Sequence, residues 1–221
     1  MKRCVIFDLD GTLCDTSADL LAAANAAFAT LGRDVRLDPA AREDRATALR
    51  GGKAMLRLGL SRIGIEDEAE VDRGYRPLLD AYGRAVCVHT TFFPGAREAV
   101  ARLRARGDAV GICTNKPEGL AVALMRALGA LDAFDSLVGA DTLPVRKPDP
   151  APLRAAVDRA GGDPGRTVLV GDTATDRDTA RAAGVPSLLV GFLAPVAGLG
   201  GDAVLDGYDG IEAAVDGLLA G

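Results

Sequence analysis

Histidine is nearly absent from this chain of 221 residues, which contains only His89. A zinc site built from several histidines is therefore excluded, and a Ser–His–Asp triad is only just possible. Acid–base chemistry must fall mainly on carboxylates. Lysine is also scarce, because arginine supplies most of the basic residues, so a lysine here points to a need for a compact ammonium group. The lysines are Lys2, Lys53, Lys116 and Lys147.

The chain also lacks the marks of secreted, membrane-spanning and nucleic-acid-binding proteins. Its four cysteines include no Cys-x-x-Cys pair, which is typical of reduced thiols in a cytosolic protein. No apolar run approaches about 18 residues, and the N-terminus becomes acidic too early for a signal peptide. The net charge is −5 and there is no basic block. We therefore expect a cytoplasmic monomer or homodimer that binds neither membranes nor nucleic acid.

Short apolar runs alternate with amphipathic stretches from residue 88 onward. The amphipathic stretches predict helices, several of which open on proline and close on glycine. The last predicted helix covers residues 209–221. This alternation predicts an α/β fold with a doubly wound, Rossmann-like parallel sheet and helices on both faces. After a first strand at about 3–7, strands are predicted at 108–114, 135–140, 166–172, 186–191 and 202–208.

Residues 15–87 show a different pattern, with helical stretches and no strand. With 48% hydrophobic residues, the chain can bury the core of one large domain or two small ones. We therefore predict an α/β core made of residues 1–14 and 88–221. An all-helical domain of residues 15–87 is predicted to interrupt it.

Two aspartates, Asp8 and Asp10, follow the first strand at alternate positions, so both side chains point the same way. Two like charges about 4 Å apart repel by roughly 4 kcal/mol at an effective dielectric of about 20. A hard divalent cation would offset this repulsion, and all-oxygen ligation suits Mg²⁺. Parallel sheets bind ligands beyond the carboxyl ends of their strands, so polar residues after later strands are expected nearby. They are Thr114, Asn115, Lys116, Lys147, Asp172 and Asp176.

A lysine and a threonine at this place would suit a phosphate group, one as a point charge and the other as a hydroxyl donor. Backbone N–H groups of the Gly11-Thr12 turn could add further donors. Each aspartate taken alone has an alternative explanation as a turn residue or helix N-cap. The coincidence of such residues at every strand end favours a common site.

Four motifs, in this order, resemble those of the haloacid dehalogenase superfamily. They are DLDGT at 8–12, TNK at 114–116, KPDP at 147–150 and GDTATD at 171–176. The helical insert is similar to the α-helical cap of that superfamily, and the sequences around the motifs most resemble its phosphoglycolate phosphatase-like branch. The resemblance covers nearly the whole chain. It implies a Mg²⁺-dependent phosphatase that hydrolyses a small phosphate monoester, with 2-phosphoglycolate as the leading substrate.

The resemblance also implies a role for individual residues. Asp8 corresponds to the nucleophile, which becomes an aspartyl phosphate, and Asp10 to the general acid and base. Lys147 corresponds to the cation that offsets the charge on phosphate and nucleophile. The implied phosphate-binding residues are Thr114, Asn115 and Lys147. The implied Mg²⁺ ligands are Asp8, Asp10 through its backbone carbonyl, Asp172, and Asp176 directly or through water.

The stretch Arg50-Gly51-Gly52-Lys53 lies in the insert, where two glycines permit close backbone approach between two cations. One hypothesis is that Arg50 or Lys53 binds a substrate carboxylate or a second anionic group. The alternative is a helix boundary with surface cations. The stretch departs from the Gly-x-Gly pattern usual in phosphoglycolate-type caps. Lys116 is a further candidate substrate contact, with a solvated position at a helix start as its alternative.

Several other functions share parts of this pattern. A sugar-phosphate phosphatase or a phosphomutase on the same scaffold would also need Asp10. Dehalogenases and phosphonate-cleaving relatives lack that second aspartate, so its presence disfavours both. In a phospho-accepting signalling receiver the acceptor aspartate follows a later strand and no insert interrupts the fold. A non-catalytic binding module on this scaffold is a further alternative, against which the complete motif set argues.

Overall fold

The computed structural model describes residues 1–220 and divides the chain into two compact units. One unit consists of Met1–Cys14 together with the chain from Phe92 onward, and the other of Asp15–Thr91. The final residue of the predicted helix 209–221 lies outside the described residues. Within the described part, no helix is both long enough and apolar enough to cross a bilayer.

Strands and helices alternate along the first unit as the apolar runs predict. In chain order the strands are β1 Lys2–Phe7, β2 Cys14–Asp15, β3 Thr91–Phe92, β4 Ala109–Cys113, β5 Ser136–Val138, β6 Gly162–Gly171, β7 Ser187–Val190 and β8 Ala203–Leu205. The helices are α1 Ser17–Thr30, α2 Arg42–Ala48, α3 Gly52–Arg62, α4 Glu68–Arg84, α5 Ala96–Ala105, α6 Glu118–Ala127, α7 Ala151–Arg159, α8 Ala174–Ala183 and α9 Ile211–Leu219.

The main sheet of the described residues has the strand order β5-β4-β1-β6-β7-β8, and all its neighbouring strands are parallel. The chain winds from β1 outward through β4 and β5, then returns to place β6, β7 and β8 on the other side. This reversal confirms the predicted doubly wound α/β fold. The ligand crevice of such a sheet lies beyond the carboxyl ends of the strands at the reversal, which here are β1 and its neighbours.

The central strands are buried along nearly their whole length. Cys4 to Phe7 of β1 and all residues of β4 have no appreciable exposure, because helices cover both faces of the sheet. A strand buried on both faces is a continuous apolar run, which is why these strands are visible in the sequence. The two-residue strands β2 and β3 carry no such signal and were not predicted. They form a separate two-stranded sheet.

The second unit contains α1 to α4, and between Ser17 and Thr90 it has no strand, which confirms the predicted helical insert. Its core is formed by large apolar side chains from three helices, such as Phe28, Leu56 and Leu78, which are buried. Asp67 caps α4, since its carboxylate accepts a hydrogen bond from the N–H of Ala69 at 2.9 Å. The helical unit therefore has its own apolar core, and its longest helix has a side-chain N-cap.

The Asp19 carboxylate fixes the backbone of residues 88–90, the last residues before β3. It is buried and accepts hydrogen bonds from the backbone N–H groups of Val88, His89 and Thr90 at 2.9–3.0 Å, and from the Thr90 hydroxyl at 2.7 Å. These residues therefore belong with the helices, and the structural division lies after Thr91 rather than after residue 87. The contact uses the backbone of His89, not its imidazole.

Gly59 of α3 faces the ring of Phe28, and a Cβ at this position would lie 2.1 Å from Cζ of that ring. Gly59→Ala is therefore expected to destabilise the protein by about 1–3 kcal/mol through overpacking. This should outweigh the gain in helix propensity of up to about 1 kcal/mol. Urea unfolding followed by circular dichroism measures the change.

Gly119→Ala in α6 is the matched control, because a Cβ there would meet nothing within 4 Å among the described residues. The control is expected to be neutral or more stable by up to about 1 kcal/mol. A Gly59→Ala protein at least as stable as the control would contradict the packing interpretation.

Candidate functional site

The turn that follows β1 is fixed by backbone contacts. The N–H of Asp8 donates to the carbonyl of Val170 at 2.8 Å, which extends the pairing of β1 with β6 by one residue. The chain then turns sharply at Gly11, whose φ of +83° favours glycine. A Cβ on Gly11 would also lie 2.4 Å from Oδ2 of Asp172. The motif therefore needs glycine both for the turn and for the close approach of the Asp172 carboxylate.

Three carboxylates converge at the carboxyl ends of β1 and β6. One oxygen from each of Asp8, Asp172 and Asp176 lies within 4.8 Å of the others, and all three side chains are buried. Burial raises the pKa of Asp8 to about 6, against the lowering effect of Lys147. Burial and the charge of Asp176 likewise raise the pKa of Asp172 well above its usual value. The cluster is thus under electrostatic strain when its members are ionised.

Lys147 supplies the positive charge inside this cluster. Its Nζ lies 2.6 Å from Oδ1 of Asp176 and 3.1 Å from Oδ1 of Asp8, and its side chain is 2% exposed. Burial acts to lower the pKa of Lys147, but the two carboxylates more than offset this and the pKa is raised. When all three carboxyl groups are ionised, a single ammonium among them leaves an excess of negative charge at the site.

The donor set fits a hard divalent cation. Carboxylate oxygens are the ligands that Mg²⁺ prefers. Within residues 1–220 the buried Oδ1 of Asp8 faces the Lys147 ammonium at 3.1 Å but accepts no hydrogen bond of good geometry. Asp176 differs from the other two, since Lys147 contacts its Oδ1 and the N–H and hydroxyl of Thr173 donate to its Oδ2. Asp8 and Asp172 are therefore the better candidates for direct ligands. Asp176 is better placed to orient Lys147.

Asp10 has a separate partner. The Nζ of Lys116 lies 2.8 Å from each oxygen of the Asp10 carboxylate, and the Lys116 side chain is 3% exposed. Lys116 was a candidate substrate contact, yet its ammonium is engaged by a side chain of the protein. The two aspartates of the first motif thus occupy different environments, each with its own lysine.

Thr114 and Asn115 follow β4 and have different surroundings. Thr114 is buried, and its hydroxyl oxygen accepts a hydrogen bond from the N–H of Lys116 at 3.2 Å. Asn115 donates from Nδ2 to the backbone carbonyl of Lys147 at 3.0 Å. The Asn115 amide therefore supports the segment that carries Lys147, a contact that the predicted phosphate-binding role did not include.

The stretch Arg50-Gly51-Gly52-Lys53 lies in the helical unit, at the start of α3. The Nζ of Lys53 is 2.6 Å from Oδ1 of Asp72 and 5.6 Å from the centroid of the Tyr75 ring. The Arg50 guanidinium is 3.4 Å from the Thr47 hydroxyl. Gly51 has a φ of +93° immediately before the helix. These contacts within the unit favour the helix-boundary alternative over a dedicated anion site.

Three supporting residues were missed by the motif reading. The Thr12 hydroxyl donates to Oδ1 of Asp172 at 2.8 Å, whereas the sequence predicts only a turn at this position. Thr173 caps α8 and holds Asp176. Tyr208 is buried, and its hydroxyl donates to the backbone carbonyl of Thr12 at 2.8 Å. Spacing within the motifs could have indicated the first two, but nothing local in the sequence links Tyr208 to the turn.

Comparison with known proteins gives matches along most of the chain. A family model described as haloacid dehalogenase-like hydrolase matches residues 2–184. The chain is 40% identical over 216 residues to a phosphoglycolate phosphatase of Rhodospirillum rubrum, with 94% of this chain and 88% of that one covered. It is 40% identical over 189 residues to a phosphoglycolate phosphatase of Mesorhizobium japonicum, with 85% and 82% covered. CbbY from Rhodobacter sphaeroides, solved in complex with phosphate, has a TM-score of 0.75 at 26% identity, with 94% and 95% covered.

Asp172→Asn should distinguish the repulsion that the Asp172 charge causes in the cluster from the contribution of Asp172 to Mg²⁺ binding. Asparagine removes the charge but can still accept the hydrogen bond from Thr12. The folded-state pKa of Asp172 is raised, so its ionised form opposes folding at neutral pH. In a chelating buffer the variant is therefore expected to unfold at a higher temperature than the wild type. With Mg²⁺ at about 100 times its dissociation constant, the wild type should gain about 2.7 kcal/mol and the variant clearly less.

Asp178→Asn is the control for this experiment, since Asp178 is paired with Arg177 outside the carboxylate cluster. It should respond to Mg²⁺ as the wild type does. An equal Mg²⁺ gain in Asp172→Asn and the wild type would rule out Asp172 as a ligand.

Proposed function

The chain belongs to the haloacid dehalogenase-like hydrolase family, and from this premise we propose that it is a Mg²⁺-dependent phosphatase that hydrolyses a small phosphate monoester. We infer that the reaction passes through an aspartyl phosphate and that 2-phosphoglycolate is the leading substrate, as the names of the similar enzymes suggest. The observation that carries the mechanism is the separation of the two aspartates of the first motif. Asp8 lies in the carboxylate cluster with Lys147, and Asp10 pairs with Lys116. Two carboxylates in unlike environments are suited to unlike roles.

Asp8 is the proposed nucleophile. It is rigidly placed, because its N–H continues the β1–β6 pairing and its side chain is buried beside the Lys147 ammonium. This ammonium lies where it can offset the charge of an approaching phosphate and of Asp8 itself. Phosphoryl transfer depends mainly on such positioning and charge neutralisation. The Thr114 hydroxyl, buried at the end of β4, is proposed as a further phosphate contact.

The proposed reaction has two steps. In the first, a carboxylate oxygen of Asp8 forms a bond to phosphorus while the bond to the leaving oxygen breaks, and Asp10, which enters this step as the protonated acid, gives that oxygen its proton to release an alcohol. In the second, Asp10 takes a proton from water as the water oxygen bonds to phosphorus. The bond to Asp8 then breaks and inorganic phosphate leaves. Asp8 and Asp10 are thereby restored to their starting forms.

A bound Mg²⁺ would supply charge neutralisation for the phosphate oxygens and would orient them. Asp8 and Asp172 are the proposed side-chain ligands, with the Asp10 carbonyl as a further one. Thr12 would keep the Asp172 carboxylate oriented through its hydrogen bond at 2.8 Å. Lys147, held by Asp176, would remain available for the phosphate.

A sugar phosphate is the second candidate substrate. CbbY, which resembles this chain in fold, has been solved with phosphate and, as a variant, with xylulose 1,5-bisphosphate. A sugar phosphomutase would use the same pair of aspartates but would release an isomer rather than free phosphate. The helical unit Asp15–Thr91 is proposed to select among such substrates. We also propose that the protein acts in the cytoplasm, in keeping with its four free cysteines.

Asp8→Asn is expected to abolish Mg²⁺-dependent phosphate release, because the amide cannot form the acyl phosphate. Asp10→Asn should lower kcat by about 10²–10⁴-fold, the usual range for loss of a general acid–base group. Phosphate release is measured beside circular dichroism spectra that check folding. Asp178→Asn is the control and should retain wild-type turnover, and substantial turnover by folded Asp8→Asn would refute the mechanism.

A panel of phosphate esters tests the substrate assignment. It contains 2-phosphoglycolate, sugar phosphates and nucleotides, and the highest kcat/KM with stoichiometric phosphate release is expected for 2-phosphoglycolate. A higher value for a sugar phosphate would move the assignment to that class, and isomerisation without phosphate release would indicate a mutase. Arg50→Ala and Lys53→Ala extend the panel. If neither changes kcat/KM for any ester, the Arg50–Lys53 stretch does not select the substrate.

A further inference from the structure

Lys116 has no part in the reaction as described so far, although its ammonium is buried beside Asp10. We propose that Lys116 is a positioning residue that holds the Asp10 carboxylate in place for proton transfer to the leaving oxygen. The inference rests on the proposed function, because it assigns a support to the general acid and base of that reaction.

The contact between the two side chains is geometrically specific. Nζ of Lys116 lies 2.8 Å from Oδ1 and 2.8 Å from Oδ2 of Asp10. A cation shared equally by both oxygens fixes the direction in which the carboxylate points, whereas contact with one oxygen would leave it free to rotate. Proton transfer depends on such placement to within hydrogen-bond reach.

The backbone around Lys116 is itself fixed. Its N–H donates to the Thr114 hydroxyl at 3.2 Å, and its carbonyl accepts from the N–H of Ala140 at 2.9 Å. Asp10 and Lys116 follow β1 and β4, which are neighbouring parallel strands with Phe7 beside Ile112. Both residues are therefore placed by the carboxyl ends of two adjacent inner strands of the sheet.

Because the two side chains differ in burial, a substitution of Lys116 can test its effect on Asp10 separately from its effect on the stability of the fold. The Lys116 side chain is 3% exposed, whereas that of Asp10 is 18% exposed. If Lys116 is replaced by Met, the buried charge disappears and the remaining carboxylate still reaches water. The fold should therefore tolerate Lys116→Met, while Asp10 gains freedom to turn away from the leaving oxygen.

The alternative is that Lys116 binds an anionic group of the substrate directly. In the structure its ammonium is engaged by Asp10, so a substrate carboxylate would have to compete for it. Lys147, in contrast, forms ion pairs with Asp8 and Asp176. Each lysine thus has its own carboxylate partners, and this division favours a role for Lys116 through Asp10.

The experiment compares kcat/KM for three esters. Glycerol 1-phosphate has a poor leaving group and no second anionic group, 2-phosphoglycolate has a poor leaving group and a carboxylate, and p-nitrophenyl phosphate has a leaving group that needs little protonation. Lys116→Met is expected to lower kcat/KM by about 10²-fold or more for both alkyl esters, but by less than about 5-fold for the aryl ester. Asp10→Asn should show the same pattern. Adding Lys116→Met to Asp10→Asn should cause little further loss.

The controls separate the competing explanations. Lys2→Met replaces an exposed lysine at the start of β1 and should leave all three values unchanged. A thermal unfolding curve checks that Lys116→Met is folded. If it is not folded, kcat/KM for the three esters is measured with Lys116→Arg instead. This variant keeps a positive charge but changes its position, and the same pattern of losses is expected.

Two outcomes would overturn the positioning role. A loss confined to 2-phosphoglycolate, expressed in KM, would assign Lys116 to substrate binding. Equal losses for all three esters in a folded variant would assign it to general support of the site. Absence of phosphate release by the wild-type protein from every ester would instead refute the proposed function itself.

Discussion

The ammonium of Lys147 among three buried carboxylates is the constraint on which the rest of the site depends. Without it, Asp8, Asp172 and Asp176 would be brought together against their mutual repulsion and against the cost of burial. The loop that follows β5 has to deliver Lys147 to this place, and the Asn115 amide holds that loop through its backbone carbonyl. The sheet order matters for the same reason, because only the adjacency of β4, β1 and β6 brings these loops together. A cluster of three carboxylates around one fixed ammonium is compatible with a bound metal ion, as the proposed function requires.

Each of the two aspartates of the DLDGT motif forms an ion pair with a different lysine. Lys147 lies beside Asp8, the proposed nucleophile, and Lys116 lies beside Asp10, the proposed general acid and base. The scarcity of lysine in this chain gives the arrangement added weight, since arginine is used nearly everywhere else. An ammonium is a compact point charge that fits between carboxylates, whereas the planar guanidinium of arginine needs more room and a fixed direction.

Much of the fold could be predicted from the sequence, because the central strands are buried on both faces. The run CVIF of β1 and the whole of β4 are apolar, and the polar residues Asp8 and Thr114 follow them directly. The short strands β2 and β3 were missed, since two residues have no periodicity. The extent of the helical unit differed because one side chain, Asp19, binds the backbone of residues 88–90 from far away in the chain.

Site residues that belong to a motif could be predicted from the sequence. Contacts between residues of different motifs could not, because they depend on how the strands are arranged in space. The positions of Asp8 and Asp172 at strand ends could be inferred from strand boundaries alone. The pairing of Lys116 with Asp10 could not, because it depends on which strands are neighbours, and apolar runs do not encode strand order. The Asn115 contact was missed for the same reason, since the sequence shows an amide without its partner.

Tyr208 connects the DGT turn to a part of the chain beyond residue 184, where the match to the family model ends. Its ring lies 5.3 Å from that of Phe192 and 6.5 Å from that of Phe7, while its hydroxyl donates to the carbonyl of Thr12. The DGT turn is therefore supported by a residue outside the stretch that the family model matches. A substitution at Tyr208 would reach the DGT turn without altering any motif residue, because the phenol contacts the backbone of that turn directly.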